Sequence, residues 1–133
     1  MTTINLFQKH NYINLTTFRK SGASVPTPVW FVTLNDKIFS FTGSMTGKAT
    51  RIRANGQAQI APSDPRGKPL EGFIPARAQI MQDETIGKQL NALYLKKYGV
   101  LYRMLNWTTP FRGKSFGQPV FIEFTFEAQS VNG

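Results

Sequence analysis

Phe39-Ser-Phe-Thr-Gly-Ser-Met-Thr-Gly-Lys-Ala-Thr-Arg-Ile-Arg53 reads as a buried strand, Phe39 to Thr42, that breaks into a polar loop, Gly43 to Gly47, and then starts a helix. Thr46 is a suitable N-cap, and Lys48 and Arg51 fall in the first turn and a half. Cations there oppose the helix macrodipole, at a cost of about 0.3–1 kcal/mol each when exposed. The arrangement makes sense if an anion sits at the helix start, held by free backbone N–H groups, hydroxyls and the two cations together. No acid occurs between Asp36 and Asp64 to neutralise the cluster. A solvated basic helix face is the plainer alternative; a phosphate site is the reading preferred here.

The rest of the chain is consistent with one domain, residues 1–133, with 41% hydrophobic residues and 11 Phe to build a core. The N-terminus lacks the basic-then-apolar pattern of a signal peptide, and no apolar run approaches a membrane span, so a cytoplasmic protein that makes no membrane contact is expected. With no Cys and one His, a metal site is not expected and a Cys–His nucleophile pair is impossible. His10 lies near a terminus without a nucleophile elbow and reads as a surface or packing residue. The seven acids are scattered apart from Asp83-Glu84, which suit a first helical turn. No catalytic residue emerges, and an enzymatic reading points to a bound cofactor as the carrier of the chemistry. A net charge of +9 invites either nucleic acid or small anionic ligands.

Working outward, Tyr12 to Phe18 is a strand, Arg19 to Gly22 a hairpin turn, and Ser24 to Thr33 a second strand containing Pro26 and Pro28. Proline cannot donate to a ladder, so this strand needs an edge, a bulge or a backbone face turned away from a neighbour. Leu34 to Lys37 turns into a third strand ending at Thr42. The first helix runs from about Thr46 to Ala54, and Asn55-Gly56 ends it as a left-handed cap. Gln57 to Ala61 and Gly72 to Met81 are further strands around a turn-rich Pro62–Pro69 loop. Asp83 to Tyr98 is the long helix, with Ile86, Leu90, Leu93 and Tyr94 (or Lys97) at helical spacing and Gly99 as its cap. Gln118 to Ala128 is the last strand. Six strands with two inserted helices predict a mainly β fold with helices (α+β), an antiparallel barrel.

These segments resemble the split β-barrel superfamily of pyridoxamine 5′-phosphate oxidase, and more closely its branch of oxidoreductases that use FMN or the deazaflavin coenzyme, factor 420. The resemblance rests on Tyr12-Ile-Asn-Leu-Thr-Thr-Phe-Arg19, Gly22, Thr27-Pro-Val-Trp-Phe31, Phe39, Phe41-Thr42 and Gly47-Lys-Ala-Thr-Arg-Ile-Arg53. Ala61-Pro-Ser-Asp-Pro-Arg-Gly67 and Lys97-Tyr-Gly99 extend it. It implies a six-stranded split barrel of the flavin-reductase/FMN-binding type, with Thr27, Pro28, Val29 and Trp30 along the ring of the cofactor. It also implies Phe41 and Thr42 at the ring and its ribityl arm, and Thr46, Gly47, Lys48 and Arg51 at the phosphate. Core packing is the alternative for the Trp30 side chain, and Arg53 is either a supporting or a merely exposed residue. Tyr102 to Trp107 and Pro110 to Ser115 are expected on the substrate side, where the family has a dimer interface.

The resemblance further implies a homodimer with the cofactor between subunits, and hydride transfer to or from a small organic substrate. A cofactor carrier without turnover shares the same site. The rival from a different class, a basic single-strand binder with 11 Phe, four Tyr and two Trp, is disfavoured because the aromatics fall on alternating strands, as a core requires. The strongest basic cluster also suits one phosphate rather than a polynucleotide track, so no nucleic-acid partner is expected.

Overall fold

The computed structural model describes residues 3–81, 83–102 and 119–126. A 3-10 turn, Thr3–Leu6, precedes seven strands: β1 (Tyr12–Phe18), β2 (Ser24–Val29), β3 (Val32–Leu34), β4 (Lys37–Gly43), β5 (Gln57–Ser63), β6 (Ile74–Met81) and β7 (Pro119–Phe126). Helix α1 (Gly47–Asn55) lies between β4 and β5, and α2 (Glu84–Tyr98) follows β6. The local signals act as physical chemistry requires. Asn35 and Asp36 take positive φ, 54° and 62°, in the two-residue turn joining β3 to β4, as a tight hairpin matched to strand twist demands. Gly56 closes α1 at φ 67°, and Asp83 caps α2 by accepting from the Ile86 N–H.

The strands form one antiparallel sheet in the order β2-β1-β5-β6-β7-β4-β3. Its two edge strands are therefore neighbours in sequence, separated only by Trp30 and Phe31. In a flat sheet of seven strands the edges would lie about 29 Å apart at the usual spacing. Three Cα steps, from Val29 to Val32, span at most about 11 Å. The sheet must curl until its edges meet. This corrects the six-strand expectation: the apolar run through Ser24–Thr33 is one strand by residue type, yet it pairs first with β1 and then with β4, on opposite edges. The prolines fall where the edge tolerates them. Pro26 and Pro28 lie opposite Thr16 and Asn14, so their missing donors face away from β1.

The inside of the curl is filled by Ile13, Leu15, Phe31, Ile38, Ile60, Ile122 and Phe124, all fully buried, with Phe7 and Ile52. Helix α2 covers the outer face of β3 and β4, where Val32 and Phe39 pack with Leu90 and Tyr94. It also secures the crossing. The Tyr94 hydroxyl lies 3.3 Å from the Trp30 carbonyl, which accepts from Ser40 Oγ at 2.7 Å. The Tyr98 hydroxyl accepts from the Phe31 N–H (3.0 Å) and shares its own proton between the carbonyls of Phe31 and Asn11 (both 2.8 Å). Lys97 Nζ donates to the same Phe31 carbonyl (2.9 Å) and sits 3.5 Å over the Phe31 ring. A crossing has no strand partner, and these side chains satisfy its backbone groups instead.

Two outcomes follow from this clamp. Tyr98→Phe strands the Phe31 N–H and is expected to cost about 1–3 kcal/mol in urea unfolding, the penalty of a buried unsatisfied donor; an unchanged midpoint would mean that water replaces the hydroxyl. Burial lowers the Lys97 ammonium from the usual 10.5 to about 8. Between these values the unfolded chain holds more protons than the folded one, so the Lys97 contribution makes stability rise with pH through that window. Lys97→Met should flatten this rise when unfolding is compared across the window, and a slope unchanged from the parent would contradict the burial of that amine.

Candidate functional site at the start of helix α1

Thr46 occupies the N-cap in extended conformation and accepts from the Ala49 N–H at 3.3 Å. Its hydroxyl donates to the Gly43 carbonyl (3.0 Å), which leaves Thr42 Oγ1, 2.9 Å away, as donor to Thr46. The Thr46 hydroxyl is thus fully engaged in shaping the turn. The first N–H groups of a helix have no intrahelical acceptor. With Ala49 served by Thr46, those of Gly47 and Lys48 are the ones directed out of the helix start. Ala49 and Ile52 are buried, so α1 sits on the end of the barrel and presents this start to its rim.

Arg51 explains Gly47. A Cβ on Gly47 would lie 2.8 Å from Arg51 Nη1. The guanidinium one turn on therefore folds back over the bare Cα, towards the N-terminus, as helical side chains do. Its Nε is anchored by Thr17 Oγ1 at 2.7 Å, at the inward-facing end of β1. Arg53 Nη1 donates to the Ser44 carbonyl (2.7 Å), giving it a supporting role in holding the loop.

The charges are stacked against one another. Burial, and then the neighbouring Arg51, lower the Lys48 ammonium from its usual value. Burial, and then Arg19, act in the same direction on Arg51. The ion pairs among the described residues, His10–Glu71 (3.7 Å) and Lys37–Glu123 (3.1 Å), involve none of these cations. Two positive side chains, Lys48 and Arg51, thus gather at the positive pole of a helix, with the charge of Arg19 felt by Arg51, which is the donor set a phosphate needs.

The sequence-predicted residues fall in four places. Thr42, Thr46, Gly47, Lys48 and Arg51 come together at this helix start. Thr27, Pro28 and Val29 lie on the edge strand β2: Pro28 is exposed on the outer face, against Gly67, while Val29 packs towards the core. Trp30, at the crossing, stacks on Tyr98 with ring centroids 4.3 Å apart and planes 9° from parallel. Phe41 lies beneath α2, its ring edge-on to Tyr94 and Tyr102. Arg19 and Thr17 were not anticipated. The inward alternation of β1 pointed to Thr17 as the polar end of an apolar stripe, whereas nothing local marked Arg19. Of the segments expected to shape a substrate side, residues 103–118 lie outside the described residues, and Tyr102 packs under α2.

Among the described residues no group of His, Cys, Asp and Glu is placed to hold a metal ion, and no helix is long and apolar enough to cross a membrane. Clefts of roughly 260–430 Å³ elsewhere on the surface take no lining from Lys48 or Arg51.

With the fold and this geometry in place, the likeness to known proteins becomes specific. The family model described as pyridoxamine 5′-phosphate oxidase matches residues 4–131, and the chain belongs to that family. Similar solved structures include the heme storage protein HutZ of Vibrio cholerae, at a TM-score of 0.69 and 14% identity, covering 93% of this chain and 87% of that one. They also include a FAD-binding protein of Mesorhizobium loti, at 0.63 and 14%, covering 93% and 84%. At such identities these likenesses show the shared fold. No curated protein matches the chain in sequence.

A cation that opposes the dipole should be costly until an anion arrives. Lys48→Gln is therefore expected to stabilise the ligand-free protein by about 0.3–1 kcal/mol at low ionic strength, measured by urea unfolding. A loss of stability would show that the ammonium has a favourable partner without any ligand.

Proposed function

We propose that the protein is an oxidoreductase that binds FMN or the deazaflavin coenzyme, factor 420, through a phosphate of the cofactor's tail at the start of α1. The observation that carries this reading is the gathering of Lys48 and Arg51 at a helix N-terminus, with Arg19 adding positive charge to Arg51 and no ion-paired acid among the described residues. The donors fit the group: two outward N–H groups, a guanidinium seated on a glycine, and an ammonium whose charge is disfavoured until it is paired. Family membership and the flavin-binding neighbour support a flavin over other phosphate-bearing ligands.

In this reading each element of the chain has a task. Gly47, Lys48 and Arg51 bind the phosphate, while the Thr42–Thr46 pair holds the turn that aims them. Thr17, which anchors Arg51, pairs with Val25 on β2, and Val29 lies four residues, or about 13 Å, further along that edge. The outward backbone of β2 from Thr27 to Val29, followed by Trp30, then borders the ring. Tyr98 stacks on Trp30 and fixes its plane. When bound, the cofactor supplies two-electron hydride chemistry towards a small organic substrate. The protein contributes orientation and a positive field.

We further propose that the cofactor lies between two copies of the chain. Met45, 65% exposed, immediately precedes the N-cap and places an apolar side chain beside the cationic site. Such a side chain suits the border of a subunit interface. Sedimentation equilibrium at micromolar concentration is expected to return a dimer, and a monomer would remove the shared site.

The phosphate assignment is tested by Lys48→Ala and Arg51→Ala. Each removes a charge-assisted contact and is expected to weaken FMN or factor 420 by about 1.5–3 kcal/mol in fluorescence titration, with the fold retained. Equal dissociation constants in parent and both variants would refute it. Binding should fall only shallowly with salt, since one phosphate releases few counterions, whereas a single-stranded oligonucleotide held along a cationic track would show a steep slope.

A further inference from the structure

A second cationic recess lies between the N-terminal turn, β3 and the end of α2, and shares no lining residue with the site on α1. Gln8, Asn11, Phe31, Val32, Thr33, Leu93, Lys96 and Lys97 line an open recess of about 400 Å³. Val32 and Leu93 give it an apolar floor, and Gln8, Asn11 and Thr33 supply uncharged polar groups. Its charge is all of one sign, since the lining contains two lysines and no acid.

Lys97 is the informative member. It is half-buried, its ammonium is held over the Phe31 ring at 3.5 Å, and one of its three protons goes to the Phe31 carbonyl at 2.9 Å. The ion pairs found among the described residues do not include it. Its ammonium is shifted downwards by burial alone, with no carboxylate to offset that burial. Among the described residues this ammonium has no counterion, and the recess beside it has room for one together with a small apolar body. One partly buried positive charge is balanced by one negative charge; a dianion would leave a desolvated excess. Lys96, exposed at the rim, adds attraction without adding burial.

We infer that this recess is a binding site for a small organic monocarboxylate, its carboxylate on Lys97 between the amides of Gln8 and Asn11 and its apolar part on Val32 and Leu93. The inference stands apart from the cofactor reading, because it uses none of the residues at the α1 site.

The test uses the full-length protein and octanoate as probe, by calorimetric titration near neutral pH. Saturable one-to-one binding is expected, weakened at least tenfold in Lys97→Met, and unchanged within twofold in Lys48→Ala. Octan-1-ol, of equal length and without charge, should bind at least tenfold more weakly than octanoate. Should Lys97→Met fail to fold, nuclear magnetic resonance of the parent protein with ¹³C-dimethylated lysines gives the same answer, since octanoate should shift the Lys97 signal and raise its titration midpoint. The proposal is overturned if octanoate does not saturate, if octanol matches it, if Lys97→Met binds equally well, or if the Lys97 signal does not move. A failure of cofactor binding in Lys48→Ala with octanoate binding intact would separate the two sites experimentally.

Discussion

The passage of the chain from one sheet edge to the other in two residues is the constraint on which the remaining structure depends. Trp30 and Phe31 link β2 to β3, and no flat arrangement of seven strands brings those edges within reach. The curl that results gives Phe31 an interior to fill and turns Trp30 outwards. It also leaves a stretch of backbone with no ladder partner, which Ser40, Tyr94, Lys97 and Tyr98 supply. Helix α2 is therefore more than a cover for an apolar face. Its tyrosines, at i and i+4, act as the hydrogen-bonding neighbour that a strand would otherwise be.

The start of helix α1 obeys the opposite logic. There the backbone is well capped, and the side chains are arranged at a cost: positive charges crowd one another at a positive pole. Natural proteins tolerate local conflicts of this kind chiefly where a ligand resolves them. Gly47 belongs to the same arrangement, since any larger residue would displace the guanidinium that lies on it.

Much of this was legible from residue types. The Thr46 cap, the Gly56 terminator and the Asn35-Asp36 turn are local rules that the structure follows, and of the edge, bulge or turned-away face that Pro26 and Pro28 allowed, it shows the edge. The grouping of Thr42, Thr46, Gly47, Lys48 and Arg51 was also readable, because those residues lie within ten positions of each other. The break of the second strand was not. Val29-Trp-Phe-Val32 is an unbroken run of strand-forming residues, and what divides it is the pairing of its two halves with partners on opposite edges. The clamp was hidden for a similar reason: the spacing of Tyr94 and Tyr98 announces a helix face, but their acceptors lie more than 50 residues away in sequence. Phe41, which the family likeness places at the ring of the cofactor, packs its own ring edge-on against Tyr94 in the structure.

The alternation of Pro26 and Pro28 has a consequence for the behaviour of the protein at high concentration. Their positions on β2 leave its free rim bearing carbonyl oxygens without amide hydrogens to match them. An incoming strand from another molecule would find acceptors but no donors at these two positions, so a continuous ladder is interrupted on this side. The β2 edge is thus a poor template for fibril growth.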